Sequence, residues 1–219
     1  ESRPLLTGIN FRIDNNVMEI IATDSYRLAK KTITLDENIE NKINIVIPGK
    51  NLLELSKILD DDNENLEMHV FENKILFKYQ NILFLSRLLS GTYPATSDII
   101  PNNFSVSVEC SCNGLFEMID RASLLTSDRD KNTIKLQLGS NSMIISSNSP
   151  EIGIVEEKML VDSSDEIAIS FSSKYMLDSI KSFETANITL FMNDDNSPII
   201  IKSNDDESLT QLVLPIKTY

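Results

Sequence analysis

The chain has 219 residues, room for one large domain or two of ordinary size, and its apolar fraction of 41 % excludes global disorder. Twenty Lys and Arg against thirty-three Asp and Glu leave a net charge of −13, so the average surface should repel nucleic acid and anionic membrane unless a local basic stripe overrides it. Two cysteines, Cys110 and Cys112, are too few for a disulfide scaffold, and no apolar run approaches the ~18 residues of a membrane helix; the expectation is a reducing, cytoplasmic setting with no membrane partner.

ESRPLLTGINFRI enters a strand almost at once, as a piece of a larger protein would. LTGINFRI and VMEIIATD read as a hairpin with its turn at residues 14–16, and RLAKKTITL (27–35) as a further strand. INIVIPGKNLLELSKIL gives a strand at 43–47, Pro48-Gly49 punctuation and a helix to about Leu59, with Leu52, Leu55 and Leu59 on its apolar stripe. Strands are predicted at 65–71, 74–79 and 82–88. The Pro- and Asn-rich stretch TYPATSDIIPNN (92–103) reads as a linker.

FSVSVECS is a predicted strand carrying Cys110, with Cys112 two residues on read as continuing it, followed by a helix over 113–125 with Leu115, Phe116, Ile119 and Leu125 inward. Strands follow at 133–138, 142–147 and 152–161. IAISFSSKYMLDSIKSF then repeats strand, polar punctuation and helix, and NITLFM, PIIIKS and SLTQLVLPI close the chain as strands.

An internal repeat organises these elements. A shift of about 124 residues lays INIVIPGKNLLELSKIL on IAISFSSKYMLDSIKSF, the KILF strand on PIIIK, and VMEIIATD on SMIISSNS. The second copy opens with one strand and helix, 104–125, that the first lacks; their counterpart is expected before Glu1. The reading is an incomplete domain over 1–98 and a whole one over 99–219. Each whole unit should be α+β, with two helices against one face of about eight antiparallel strands.

Reactive constellations are scarce. His69 is the one histidine, on the polar face of LEMHVF, and with a Cys-x-Cys pair it does not make a four-ligand metal site. Asp60, Asp62 and Glu64 lack the glycine and closing glutamate of a calcium loop. Gly49, Gly91 and Gly139 stand singly, so no phosphate-cradling loop is formed. No cofactor, metal or catalytic residue is expected.

The lysines say more. Lys50 and Lys57 are seven apart on the first short helix, and Lys174 and Lys181 take the same places in its repeat, off the apolar stripe. With Arg121 they are candidates for sequence-blind contact to a phosphate backbone. Repeats whose helices share one charged side can curve into a ring with sheets outside.

Taken together, RPLLTGINF, ATDSYRLA, SGTYP, RASLLTSDR and LVLPIKTY make the chain resemble the bacterial DNA polymerase III beta subunit family of replicative sliding clamps, over its whole length. The resemblance implies three similar domains per full-length subunit, of which the third and part of the middle one are represented here. It also implies a head-to-tail homodimer encircling duplex DNA, with no catalysis, and replicative polymerase, clamp loader and repair proteins docking through short linear peptides. Carried over, the peptide site comprises Leu6, Thr23, Ser25, Tyr26, Arg27, Leu28, Pro94, Ile99, Tyr175, Met176, Pro198, Leu212, Leu214, Pro215 and Ile216. Position 26 is often His in the family and here is Tyr; Asp98 stands where other members carry a base. Leu124 and Leu125 resemble the third-domain side of the subunit interface, whose other side belongs to the first domain, so the fragment is expected to bind peptides without closing a ring. A protein-interaction scaffold without a DNA role is the alternative, and a carboxylate hydrolase the more distant one.

Overall fold

The structure is a computed structural model describing residues 3–60, 64–96 and 99–217. The chain divides into two compact units, one of Glu1–Asp24 with Lys30–Ala95 and the other of Ser25–Ala29 with Thr96–Tyr219.

In the first unit a short 3-10 turn at Pro4–Thr7 leads into β1 (Gly8–Thr23). Next come β2 (Arg27–Pro48, whose first residues belong to the second unit), α1 (Gly49–Ser56), β3 (Glu67–Val70), β4 (Lys74–Tyr79) and β5 (Ile82–Arg87). The expected hairpin over 8–23 is one extended run, with Asn15 at φ 53°, a left-handed conformation Asn tolerates. Likewise the strands expected at 27–35 and 43–47 are joined through 36–42 as β2. Asn10 donates to Asn44 Oδ1 and Ile45 O at 2.7 and 3.0 Å, Lys42 meets Asp14 at 2.6 Å, and Lys30 pairs with Glu19. Partners on β2 fall in number as those on β1 rise, so the two strands run antiparallel. β3, β4 and β5 form an antiparallel sheet in that order. The core is Phe11, Ile13, Met18, Ile47, Leu55, Ile75 and Phe77. Helix α1 is shorter than its apolar spacing predicted, ending at Ser56, with Lys57 as its C-cap.

The second unit contains β6 (Val106–Ser111), α2 (Cys112–Ser123), β7 (Thr133–Gly139), β8 (Ser142–Ser149), β9 (Gly153–Leu160), β10 (Ile167–Ser172), α3 (Ser173–Ile180), β11 (Asn187–Met192), β12 (Ile199–Lys202) and β13 (Leu209–Val213). Cys112 is the first residue of α2 and not a strand residue: Ser111 caps the helix, its hydroxyl accepting from Gly114 N at 3.1 Å. One sheet has the order β10-β7-β8-β9; in the other, β6, β11, β12 and β13 lie side by side and the start of β2 adjoins β13. The β10–β7, β7–β8, β8–β9, β6–β11, β11–β12 and β12–β13 pairs are all antiparallel.

Alternation explains the sheets. Ile134, Leu136 and Leu138 of β7 are buried while Lys135 and Gln137 face out. Against such faces α2 buries Cys112, Leu115, Met118, Ile119 and Ala122, and α3 buries Met176 and Ile180. Buried Ser147 donates to Ala122 O at 2.7 Å, satisfying one of the last carbonyls of α2. Among the described residues, eight strands and two α-helices in one α+β unit match the architecture read from the repeat.

Candidate functional site

The site is built in the second unit by three backbone segments and helix α3. The first is Ser25–Ala29. Ser25 has φ 77°, and this left-handed residue turns the chain into β2. Leu28 then points into the core at 2 % exposure, while Tyr26 stays 60 % exposed. Tyr26 O accepts from Leu214 N at 2.9 Å, fixing the second segment, the C-terminal run. That run is held again by Ile216 N donating to Ser170 O at 2.7 Å and by a bridge between Phe171 and Pro215.

Helix α3 supplies Tyr175 and Asp178, three apart and so on one face. The Tyr26 and Tyr175 rings stack at 6.0 Å with 20° between planes. Arg27 donates to Asp178 Oδ2 at 2.7 Å, and its guanidinium carbon lies 4.7 Å from the Tyr175 ring centroid. Beneath them Gln211 donates to Ser182 Oγ at 2.8 Å and Ser182 to Ser179 O at 2.7 Å, tying β13 to α3.

The third segment is the turn before β7. Lys131 and Asn132 both have left-handed backbone, φ 60° and 52°. Such consecutive non-glycine residues need support. Ser127 and Asp130 form a reciprocal capping box, Asn132 donates to Asp128 Oδ1 at 2.8 Å, and Asn132 O accepts from Ser173 N at 2.8 Å. The last bond ties the turn to the start of α3.

Between these segments lies a depression of about 600 Å³ lined by Tyr26, Tyr175, Leu214, Pro215 and Ile216, by Ser172, Asn132 and Asp128, and by Lys131, Lys174 and Lys217. Its aromatic and aliphatic surface offers area, and its hydroxyl, amide and ammonium groups offer orientation. Among the described residues no group of three His, Cys, Asp or Glu could hold a metal ion, and no helix is long and apolar enough to cross a membrane.

Of the residues expected at a peptide site, the structure gathers Tyr26, Tyr175, Leu214, Pro215 and Ile216 around this depression. Arg27 stands behind Tyr175. Leu28, Met176 and Leu212 are core, at 2 %, 0 % and 2 % exposure. Ser25 is in the turn, Ile99 is exposed at 41 %, and Pro198 precedes β12; none of the three lines the depression. Leu6, Thr23 and Pro94 belong to the first unit. Asp62 and Asp98 lie outside the described residues.

The candidate cations have different surroundings. Lys50 is exposed on α1, and Lys57 pairs with Glu54 at 2.9 Å. Lys181 lies 5.3 Å from the Phe116 ring, whereas Lys174 lines the depression. Arg121 is engaged by Glu157 at 3.0 and 3.1 Å and by Glu117 at 3.6 Å. These contacts hold the Glu157 carboxyl below its ordinary value and raise the guanidinium. Leu124, after α2, is 78 % exposed, and Leu125 is half-buried. His69 is exposed beside Glu67 at 3.3 Å.

Residues that sequence reasoning missed are Asp128, Lys131, Asn132, Ser172 and Lys217, with Lys174 assigned elsewhere. The run DRDKN marks a turn, but nothing in it signals a pocket wall.

Repeated units of antiparallel sheet backed by helices, carrying an aromatic-walled notch, define a clamp-type protein. Residues 1–95 match the family model for the DNA polymerase III beta subunit, central domain, and residues 97–217 the model for its C-terminal domain. The chain belongs to the DNA polymerase III beta subunit family. It is 43 % identical over 222 residues to a beta sliding clamp of Bacillus subtilis, covering all of this chain and 59 % of that one. It is 42 % identical to one from Staphylococcus aureus, covering 58 % of it. Crystal structures of the Bacillus subtilis DNA polymerase sliding clamp and of the Streptococcus pneumoniae DNA polymerase III beta chain superpose with TM-scores of 0.95 and 0.92, at 43 % and 34 % identity. These cover 100 % and 99 % of this chain and 58 % of each of those. The chain therefore spans somewhat under two thirds of the length of these relatives.

Proposed function

We propose that the chain is the middle and third-domain part of a sliding clamp, a non-catalytic cytoplasmic processivity factor that tethers DNA polymerase and repair proteins to duplex DNA. Residues 1–98 are assigned to the middle domain and 99–219 to the third. In the whole protein a homodimeric ring encircles the duplex. Sequence-blind attraction to phosphate then need only be weak, because topology prevents escape. Lys50, Lys57 and Lys181 are the cations offered to DNA. Arg121, already countered by two glutamates, contributes least, and Lys174 serves at the depression. Leu124 and Leu125 meet the next subunit.

The depression receives short linear peptides from the polymerase, the clamp loader and repair proteins. Once a peptide is seated, its enzyme works at high effective concentration on the encircled DNA. The stacked Tyr26–Tyr175 wall beside Leu214, Pro215 and Ile216 is the observation that carries this reading, because rings with polar edges next to aliphatic area are typical binding hot spots. Isothermal calorimetry with a glutamine–leucine–phenylalanine type peptide tests it. Saturable binding that weakens in Tyr175→Ala supports the reading; no heat with either protein refutes it.

A further inference from the structure

Charge at the mouth of the depression runs against the charge of the chain. The whole chain carries −13, yet the charged residues lining this depression are Lys131, Lys174 and Lys217 against the single Asp128. All three lysines are exposed, and among the described residues none of them enters an ion pair. The Asp128 carboxylate accepts the Asn132 amide. Lys131 is presented from a left-handed turn fixed by the capping box and by Ser173, so its position does not depend on a ligand. Lys174 comes from the first turn of α3, and Lys217 follows the anchored run Leu214–Ile216. Three cations thus reach one apolar notch from three separate backbone segments.

We infer that the depression selects acidic peptides: segments whose apolar anchors sit against Tyr26, Tyr175 and Leu214 and whose flanking residues carry carboxylates toward Lys131, Lys174 and Lys217. The inference rests on the peptide-groove reading above and adds the partner's charge to it. Phosphate of a nucleic acid would also answer the lysines, but it would leave the aromatic and aliphatic surface between them uncovered. An acidic peptide satisfies both. Exposed ammonium groups add to encounter rate and selectivity more than to final affinity, so the preference should be graded and salt-sensitive.

The test is calorimetry on the chain with two peptides sharing the same apolar anchors, one flanked by Glu and the other by Gln at the same positions. At low ionic strength the Glu peptide is expected to bind roughly fivefold to tenfold more tightly. The preference should shrink at high salt and vanish in the combined variant Lys131→Gln, Lys174→Gln, Lys217→Gln, the ratio of the two affinities within each protein being the readout. A far-UV circular dichroism spectrum and melting point equal to wild type report that the variant remains folded. Equal binding of the two peptides to wild type overturns the inference and leaves the groove reading standing. A preference that survives in the variant overturns the assignment to these lysines. Displacement of the Glu peptide by a duplex oligonucleotide would give the lysines to phosphate instead. Failure of both peptides to bind removes the groove reading, and the inference with it.

Discussion

Arg27 holds Tyr175 from behind: its guanidinium lies 4.7 Å from the ring centroid while it donates to Asp178, one helical turn further along α3. Tyr26 covers the same ring at 6.0 Å, so the aromatic wall is set by the chain itself before anything binds. The Arg27–Asp178 pair is 31 % and 48 % exposed, and an ion pair so open to water adds under about 1 kcal/mol. Replacing Arg27 with Gln should therefore leave thermal stability nearly unchanged. It should weaken peptide binding roughly threefold to tenfold by loosening Tyr175. Adding Tyr175→Ala to Arg27→Gln should cost less than the sum of the single changes, since both act through one ring. Calorimetry on the four proteins would show this, and strict additivity would refute it.

Gly8 opens β1 where no side chain fits. A Cβ there would lie 2.6 Å from Val46 Cγ1, 2.8 Å from Leu89 Cδ1 and 2.9 Å from Ile47 O. Gly8→Ala should destabilise the first unit by about 1–3 kcal/mol through overpacking. The readout is a lowered urea midpoint, with pocket binding retained under native conditions because Gly8 and the depression belong to different units.

The Arg121–Glu157 contact predicts a pH dependence. Hydrogen bonding from Arg121 lowers the Glu157 value, so the folded state binds that proton less readily than the unfolded chain does. The associated stability is fully present above the ordinary carboxylate value and is lost as pH falls through the lowered one. Arg121→Gln should thus melt slightly below wild type near neutrality, with the difference closing below about pH 4. Differential scanning fluorimetry across that range measures it; a difference that widened in acid would contradict the assignment.

Both thiols should be inert. Burial pushes Cys110 up to about 12, with the charges of Cys112 and Glu109 adding to the effect, and burial raises Cys112 as well. At about pH 8 almost no thiolate exists at Cys110, and less than an ordinary thiol carries at Cys112. A colorimetric thiol reagent should find neither in the native chain and two in guanidinium. Rapid native labelling would mean that β6 and the start of α2 open readily.

Much of the fold was legible because period-two alternation survives wherever a sheet has one covered face. Ile134, Leu136 and Leu138 announce β7, and the shift of about 124 residues announces a second copy of the design. Legibility failed at joins. Asp14–Asn16 reads as a turn, yet β1 runs through it, and Cys112 continues an apolar alternation although Ser111 has already capped a helix. At the depression, Tyr26, Tyr175 and the run Leu214–Ile216, which family likeness names, line one hollow. Leu28, Met176 and Leu212 are core neighbours, because an aliphatic residue beneath a groove has the same pattern as one lining it. Lys131, Asn132 and Lys217 were invisible for the opposite reason: polar residues in a turn or after a last strand resemble any solvated surface, and their role depends on bonds from Ser173 and Ser170 far along the chain.

Ser25–Ala29 has a consequence for anyone who treats the two halves as interchangeable parts. The flanking stretches on either side belong to the first unit, yet this pentapeptide belongs to the second, contributing Tyr26 to the pocket and burying Leu28. A gene fragment beginning near residue 96 would leave one wall of the notch behind. On the peptide-groove reading, recombination between relatives would have to import two separated pieces of sequence together, one of them inside the stretch that matches the central-domain model.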